Sequence, residues 1–284
     1  MTAYMHHKDL ANESIDETRR LQIADGVHRV LDEIARAEEK AGRAVGSVRL
    51  LAATKTRDVA EIMTAIDAGV RMIGENRPQE VVAKAEGLSR LCADRGLHLG
   101  AAPSVGGAGD GDAASAGTAA TTGTVPFHLI GQLQSNKIGK ILPVVDVIES
   151  AGSYELAERI SRRAVARGVE VGVLLEVNES GEAAKSGCEP DLAVELAERI
   201  ATLPSLRLQG LMTIGAHVDD AAEIRRCFAH LRESRDAVLA SGGSGTADCR
   251  ELSMGMTHDM DLAIGEGSTI VRVGTAIFGP RAFI

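Results

Sequence analysis

Short aliphatic segments alternate with amphipathic segments along most of the 284 residues, and this alternation restricts the fold more than any other feature. Eight segments rich in β-branched or aliphatic residues are predicted to be strands. They span residues 48–55, 70–76, 127–131, 144–149, 171–178, 206–213, 250–254 and 270–277. Apolar residues spaced three and four apart predict helices over residues 59–68, 79–94, 154–166, 192–201 and 221–239, with shorter ones beginning near residues 135 and 257.

This order of elements predicts an α/β fold, a single (β/α)8 TIM-type barrel. The length is close to the roughly 250 residues that such a barrel needs. The chain stops at Ile284, soon after the eighth predicted strand, so little sequence remains for an eighth helix. A helical segment over residues 18–41 precedes the first strand. We expect this N-terminal helix to close the barrel by covering the gap between the first and last strands.

Two segments depart from the alternating pattern. Residues 1–17 form a polar leader without the apolar region of a secretory signal, which predicts a cytoplasmic protein. Residues 100–124 are mostly Gly, Ala, Ser and Thr without periodicity, and this composition predicts a flexible insertion. Residues 18–284 are therefore expected to form one barrel domain that carries this insertion.

Charge and composition exclude several classes of ligand. The chain has 31 Lys and Arg against 40 Asp and Glu, and the formal charge of -9 would repel a nucleic acid. Its four cysteines form no CxxC pair, which predicts neither a zinc site nor a disulfide framework. No apolar run approaches the roughly 20 residues needed to cross a bilayer. A small anionic ligand stays compatible with this composition, because a few local N–H groups can hold a phosphate.

Lys55 ends the first predicted strand, in the sequence LLAATK, at the mouth where (β/α)8 active sites assemble. Strand alternation places Leu51, Ala53 and Lys55 on one face. A partly desolvated amine has a lowered pKa and attacks an aldehyde more readily, as a Schiff-base lysine must. For this residue alone, the simpler interpretation is a lysine that extends into solvent.

Two other predicted strands carry polar residues near the same mouth. The second ends in IGEN, where Gly74 would admit a ligand and Asn76 could donate to a phenolic oxygen; a strand-end turn is the alternative. His128, in FHLIGQLQSNK, either contacts a ligand or is a core histidine bonded to the backbone. The SNK that follows, residues 135–137, is interpreted as a helix N-cap with a charged first turn.

The last two predicted strands end in segments that predict a phosphate site. In ELSMGMTHDM, Ser253 and Gly255 lie where the seventh strand gives way to a helix. In IVRVGTAIFG, Gly274 and Thr275 lie at the end of the eighth. Loops after strands seven and eight frequently form phosphate sites in these barrels. Ordinary strand-end turns are the alternative.

Arg272 is predicted to point into the barrel, in the same direction as Gly274. A permanent charge there is costly unless it meets a partner. A pyridine nitrogen is one such partner, and an arginine beside it would keep the nitrogen unprotonated and weaken the ring as an electron sink. An internal ion pair with Glu176 or Glu149 is the alternative.

Taken together, LLAATK, IGEN, FHLIGQLQSNK, the KSG of residues 185–187, GLMTI, LSMGMTHDM and VRVGTAIFG closely resemble the pyridoxal phosphate homeostasis protein family, in the alanine racemase N-terminal-domain-like group. The resemblance extends from about residue 48 to residue 281, with residues 100–124 as the main departure. It implies a (β/α)8 barrel that holds pyridoxal 5′-phosphate (PLP) as a Schiff base on Lys55, with Arg272 beside the pyridine nitrogen. It assigns the phosphate cradle to Ser253, Gly255, Gly274 and Thr275, and further cofactor contacts to Asn76, His128 and Met212.

The resemblance also implies a function in intracellular PLP homeostasis, as a monomeric carrier or buffer that supplies apo PLP-dependent enzymes and has no established reaction. A weak PLP-dependent amino-acid racemase is the alternative, and an aldolase-type barrel enzyme is a third. Alanine racemases carry a second, β-rich domain and take a catalytic tyrosine from the partner subunit. Here the chain ends four residues after Pro280, and the two tyrosines, Tyr4 and Tyr154, lie in the leader and at a helix start. A two-base racemase is therefore not expected.

Overall fold

A computed structural model describes residues 9–100, 123–181, 186–215, 218 and 220–280. The interior of the predicted insertion, Lys185 of the KSG motif and the first eight residues of the leader lie outside the described residues. In chain order the strands are β1 (Arg49–Ala53), β2 (Ile73–Glu75), β3 (His98–Leu99), β4 (Thr124–Val125), β5 (Phe127–Leu129), β6 (Val147–Ala151), β7 (Val171–Glu176), β8 (Leu206–Met212), β9 (Glu251–Ser253) and β10 (Ile270–Val273). The α-helices are α1 (Glu17–Lys40), α2 (Val59–Asp67), α3 (Pro78–Ala93), α4 (Ile138–Ile141), α5 (Tyr154–Arg167), α6 (Ala193–Ala201), α7 (Ala221–Ser241), α8 (Met260–Gly265) and α9 (Thr275–Phe278).

Parallel strands close into a barrel in the order β1, β10, β9, β8, β7, β6, β5, β2, which confirms the predicted (β/α)8 fold. Each of the eight predicted strands overlaps one strand of this barrel, although β6 continues two residues beyond its predicted end. The remaining strands, β3 and β4, form a separate parallel pair on either side of residues 101–122 and were not predicted. Because all barrel strands run in the same direction, their carboxyl ends meet at one mouth.

The N-terminal helix covers the barrel as predicted. Helix α1 packs against α2, α8 and α9, and therefore lies outside the junction of β1 and β10. Asp16 caps it by accepting a hydrogen bond from the Arg19 amide at 2.9 Å. Its buried stripe includes Ile23, Val27 and Val30, which are spaced four and three residues apart and so share one face.

The structure assigns two predicted segments differently. The eighth strand was predicted to continue to residue 277, but β10 ends at Val273 and residues 275–278 form α9. Ser135 was interpreted as a helix N-cap, but it is the first residue of a short 3-10 turn that follows Gln134. Its hydroxyl accepts a hydrogen bond from Arg159 Nη1 at 3.1 Å and caps no backbone amide.

Apolar residues form one large cluster between the strands and the surrounding helices, and two small clusters inside the barrel. The interior clusters are Leu51, Met72 and Ile270 with Ile130, and Val147, Leu174 and Met212 with Ile214. The barrel is therefore a packed core and not a pore. Within the described ranges, no helix is both long enough and apolar enough to cross a membrane.

Candidate functional site

Lys55 lies two residues beyond β1, at the mouth formed by the carboxyl ends of the strands. Its strand lies between β10 and β2, with Leu51 paired in register with Arg272 and Ala53 with Gly74. The Lys55 side chain is half-buried. Strand pairing therefore brings together the ends of the first, second and last barrel strands, which are the ones predicted to carry Lys55, Asn76 and Gly274.

Arg272 points into the barrel and is only 6% exposed. Its Nη1 donates to the Ser253 hydroxyl and its Nη2 to the Thr213 carbonyl oxygen, both at 2.7 Å. Burial lowers the pKa of Arg272, although Glu149 opposes this shift. A guanidinium stays charged in proteins, so a positive charge is fixed in the interior.

Glu149 of β6 is the buried carboxylate nearest to this network. It accepts from Ser253 Oγ at 2.6 Å and lies 2.6 Å from His128 Nδ1. Burial alone would raise the pKa of Glu149, but the contacts with His128, Arg272 and Ser253 hold it below its usual value. The His128 partner is thus a carboxylate and not the backbone group suggested for a core histidine.

The predicted alternative for Arg272 was a direct ion pair with Glu176 or Glu149. Among the described residues Arg272 forms no such pair, because the Ser253 hydroxyl stands between its guanidinium and Glu149. Ser253 is fully buried within β9, and its hydroxyl lies in the barrel interior and not in the loop after the strand. Its assignment to a phosphate cradle stays a prediction.

The loops after β9 and β10 lie side by side, as predicted. The Arg272 amide donates to the Gly255 carbonyl oxygen at 2.9 Å. Gly255 has φ +94, and a Cβ there would lie 2.6 Å from the Ala263 side chain, so both its conformation and its space require glycine. Gly274 precedes α9, which begins at Thr275, and a Cβ on Gly274 would lie 3.1 Å from the Ala53 carbonyl oxygen. Gly274 therefore brings the loop after β10 close to the end of β1, and the Gly255 loop lies on the other side of β10.

The remaining predicted contacts lie around the same mouth. Asn76 directly follows β2 and is half-buried. Met212 is fully buried in the interior and pairs in register with Glu176 on one side and Ser253 on the other. Gly74 was expected to admit a ligand, but a Cβ there would lie 2.6 Å from Leu51 Cδ2. Packing inside the barrel is therefore sufficient reason for this glycine.

A charged cluster beside Lys55 was not predicted from the sequence. Lys84 of α3 is fully buried and donates from Nζ to Glu75 Oε1 at 2.6 Å and to Glu80 Oε2 at 3.2 Å. Burial raises the pKa of Glu75 to about 7, with Lys84 opposing the shift. For Glu80, burial is outweighed by hydrogen bonds from the Thr56 amide and Lys84, so its pKa is lowered. The feature of the sequence that pointed to this cluster was Glu75 of IGEN. It lies within an apolar strand, and a residue in such a strand is expected to be buried.

A cavity of about 380 Å³ opens at the opposite, N-terminal end of the barrel. It is lined by the first residues of several strands, and of the predicted cofactor contacts only His128 borders it. Asp146 also lines it, with Oδ2 accepting from the Phe127 amide at 2.7 Å. Since (β/α)8 sites assemble at the carboxyl ends of strands, the mouth that holds Lys55 is the candidate site, and not this cavity.

Comparison with known proteins places the chain in a family. Residues 29–282 match the family model for the alanine racemase N-terminal domain. A pyridoxal phosphate homeostasis protein from Aquifex aeolicus (strain VF5) is 34% identical over 263 residues, covering 93% of this chain and 100% of that protein.

Two solved structures are similar over nearly the whole chain. The crystal structure of an unknown protein from Bifidobacterium adolescentis superposes with a TM-score of 0.88 at 68% identity, covering 95% of this chain and 100% of the other. PipY of Synechococcus elongatus PCC7942, solved with PLP bound, has a TM-score of 0.67 at 30% identity and covers 90% of this chain and 100% of its own. The chain belongs to the pyridoxal phosphate homeostasis protein family, within the group that shares the alanine racemase N-terminal domain.

Proposed function

We propose that this protein binds PLP as a Schiff base on Lys55 and acts in intracellular PLP homeostasis, as a carrier or buffer of the reactive aldehyde. The observation that carries the proposal is the pairing of β1 with β10, because it puts the end of the lysine strand beside Arg272 and Gly274. Family membership and the PLP-bound structure of PipY support the choice of ligand.

The side chains and backbone at this mouth fit the functional groups of PLP. Lys55 offers an amine to the aldehyde, and the adjacent loops at Gly255 and Gly274 offer backbone donors to the phosphate. Asn76 offers an amide to the phenolic oxygen. Arg272 donates one hydrogen bond to Ser253 and one to Thr213, and its other guanidinium N–H groups can donate to the pyridine nitrogen.

Arg272 also limits the chemistry that bound PLP could support. Bound PLP supplies an electron sink, and a fixed positive charge beside its pyridine nitrogen opposes protonation there and weakens that sink. Tyr154, one of the two tyrosines, starts α5 with its ring centre 4.3 Å from the Arg199 guanidinium carbon, so its ring packs against α6. We propose a cytoplasmic monomer that supplies apo PLP-dependent enzymes and has no established reaction of its own.

Absorption spectroscopy tests the proposal directly. Purified protein mixed with PLP should absorb in the visible, and borohydride should bleach this absorption and leave a mass adduct on the peptide that contains Lys55. Lys55→Ala should lose both signals, whereas Lys40→Ala, at the exposed end of α1, should keep them. A protein that takes up no PLP, or an adduct that persists in Lys55→Ala, would overturn the assignment.

A further inference from the structure

Lys84 is among the largest fully buried side chains of the described residues, and its charge needs an explanation. Its ammonium donates to Glu75, to Glu80 and to the Thr54 carbonyl oxygen, the last at 3.1 Å. An ammonium has three donors, so all of them are used. Buried ion clusters are often no more stabilising than apolar packing of the same volume. Stability alone therefore does not account for three charged residues at this position.

The cluster is bonded to the chain on both sides of Lys55. Before it, the Thr54 hydroxyl donates to Glu75 Oε1 at 2.6 Å. After it, the Thr56 amide donates to Glu80 Oε2 at 2.8 Å. Hydrogen bonds to a carboxylate are stronger than those between neutral groups. The residue proposed to react with PLP thus lies between two charge-assisted anchor points.

The anchored turn is strained. Thr56 has φ +66, in the left-handed region that a β-branched residue rarely adopts and that costs on the order of 1 kcal/mol or more. Its hydroxyl oxygen is buried and has no hydrogen-bond partner in the described part of the chain. Such a conformation persists only where surrounding contacts enforce it. Here the backbone is held by the bond from the Thr56 amide to Glu80 and by the bond from the Arg57 amide to the Thr54 carbonyl oxygen at 3.0 Å.

We propose that Glu80, Lys84 and Glu75 are positioning residues that hold the Thr54–Thr56 turn so that the Lys55 amine is directed at the aldehyde of PLP. Glu80 binds the turn directly, and Lys84 keeps the Glu80 and Glu75 carboxylates in place. The inference rests on the proposed function and deepens it, because it names the groups that set the geometry of the reactive amine. None of the three is assigned a contact with the cofactor.

The test compares two ligands that differ only at the reacting carbon. PLP reacts with Lys55, whereas pyridoxine 5′-phosphate carries an alcohol in place of the aldehyde and can bind only non-covalently. Glu80→Ala should weaken PLP binding on the order of tenfold, the size expected for one lost hydrogen bond to a charged group. Binding of pyridoxine 5′-phosphate should not change. Glu80→Gln keeps an acceptor for the Thr56 amide and should restore PLP binding.

Glu86→Ala is the matched control, because Glu86 lies on the same helix and is exposed. If Glu80→Ala does not unfold cooperatively, Glu80→Asp replaces it, since the shorter carboxylate still pairs with Lys84 but withdraws from Thr56. Equal losses for both ligands, or PLP binding as tight as in Glu86→Ala, would overturn the positioning role. Unmodified protein that fails to take PLP on Lys55 would instead overturn the proposed function itself.

Discussion

Ser253 links two buried charges inside the barrel. Its hydroxyl accepts a hydrogen bond from Arg272 and donates one to Glu149. A neutral hydroxyl can link opposite charges in this way because it is both a donor and an acceptor. The sequence indicated an interior Arg272 that needs a partner, and this much is confirmed by its burial. It did not identify a serine as the partner, because the contact depends on the register of β9 against β10 and not on spacing along the chain.

Replacing Ser253 with alanine should destabilise the fold by about 2 to 4 kcal/mol, because it leaves buried groups of both Arg272 and Glu149 without a partner. Ser161→Ala is the matched control, since Ser161 is equally buried but donates only to the neutral Pro204 carbonyl oxygen at 2.7 Å. Ser161→Ala should lower the free energy of unfolding by about 1 kcal/mol. Urea unfolding measures the free energy of unfolding of both variants. Equal losses of stability would show that Ser253 does not link the charges.

The burial of Lys84 could not be predicted from the sequence. Glu80 and Lys84 are four residues apart on α3, a spacing that usually indicates an exposed pair on a helix surface. The structure buries both of them against Glu75 of β2. Only the docking of α3 on the strand distinguishes this cluster from a solvated pair, and docking is a tertiary property. By contrast, the strand pattern located Lys55 near the carboxyl end of the first strand, although β1 ends two residues before it.

At the scale of elements, α1 takes the place of the helix that would otherwise cover the junction of the first and last strands. Gly26 lets it approach α9 closely, since a Cβ there would lie 2.6 Å from the Ile277 carbonyl oxygen. Arg19 strengthens the same contact by donating to the Phe278 carbonyl oxygen at 2.8 Å. The periodicity of residues 18–41 predicted this helix well, because a long amphipathic pattern is a strong signal.

Gly26→Ala tests this contact against helix propensity. Alanine favours an isolated helix by about 1 kcal/mol, but the clash with the backbone at Ile277 should outweigh this and lower the free energy of unfolding by about 1 to 3 kcal/mol. Asp25→Ala, at the adjacent exposed position, should change it by no more than about 0.5 kcal/mol. Thermal and urea unfolding report both variants. Stabilisation by Gly26→Ala would contradict the close packing of α1 on α9.

Short elements were the ones that the sequence did not define. Residues 275–278 form a single helical turn, too short for a helical period, and their neighbours Val271 and Val273 extended the strand pattern across them. Strands β3 and β4 have two residues each, so alternation could not reveal them. Their pairing joins the two flanks of residues 101–122, which is a contact between distant segments.

At the scale of the whole molecule, the two ends of the barrel differ in chemistry. The mouth at the carboxyl ends of the strands holds Lys55 and the two glycine loops. The opposite end holds a polar cavity with Asp146, whose Oδ1 is buried and has no hydrogen-bond partner in the ranges that the structure describes. Burial raises the pKa of Asp146 from 3.8 to about 6. In these barrels the end away from the site serves stability, and so we expect this carboxyl to affect stability and not binding.

The raised pKa of Asp146 predicts a pH dependence of stability. The stabilising contribution of the Asp146 carboxyl is fully present below pH 3.8, which is its pKa in the unfolded chain. This contribution is lost as the pH rises through about 6, because the folded state must then ionise a buried acid. Asp146→Asn keeps an acceptor for the Phe127 amide and removes this titration. Between pH 4 and 6, unmodified protein should therefore lose on the order of 2 kcal/mol relative to the variant. Parallel pH profiles from urea unfolding would contradict this.

The pairing of β1 with β10 has a consequence for biosynthesis. Lys55 is translated early and Arg272 late, and the two come together only when strands from opposite ends of the sequence pair. Forming such a distant contact requires closing nearly the entire polypeptide into a loop, which is slow relative to local helix formation. If PLP binds as proposed, a nascent chain that lacks β10 has only part of the site, because Arg272 and Gly274 are missing beside Lys55. We therefore expect PLP capture to begin only when β10 pairs with β1 and closes the barrel.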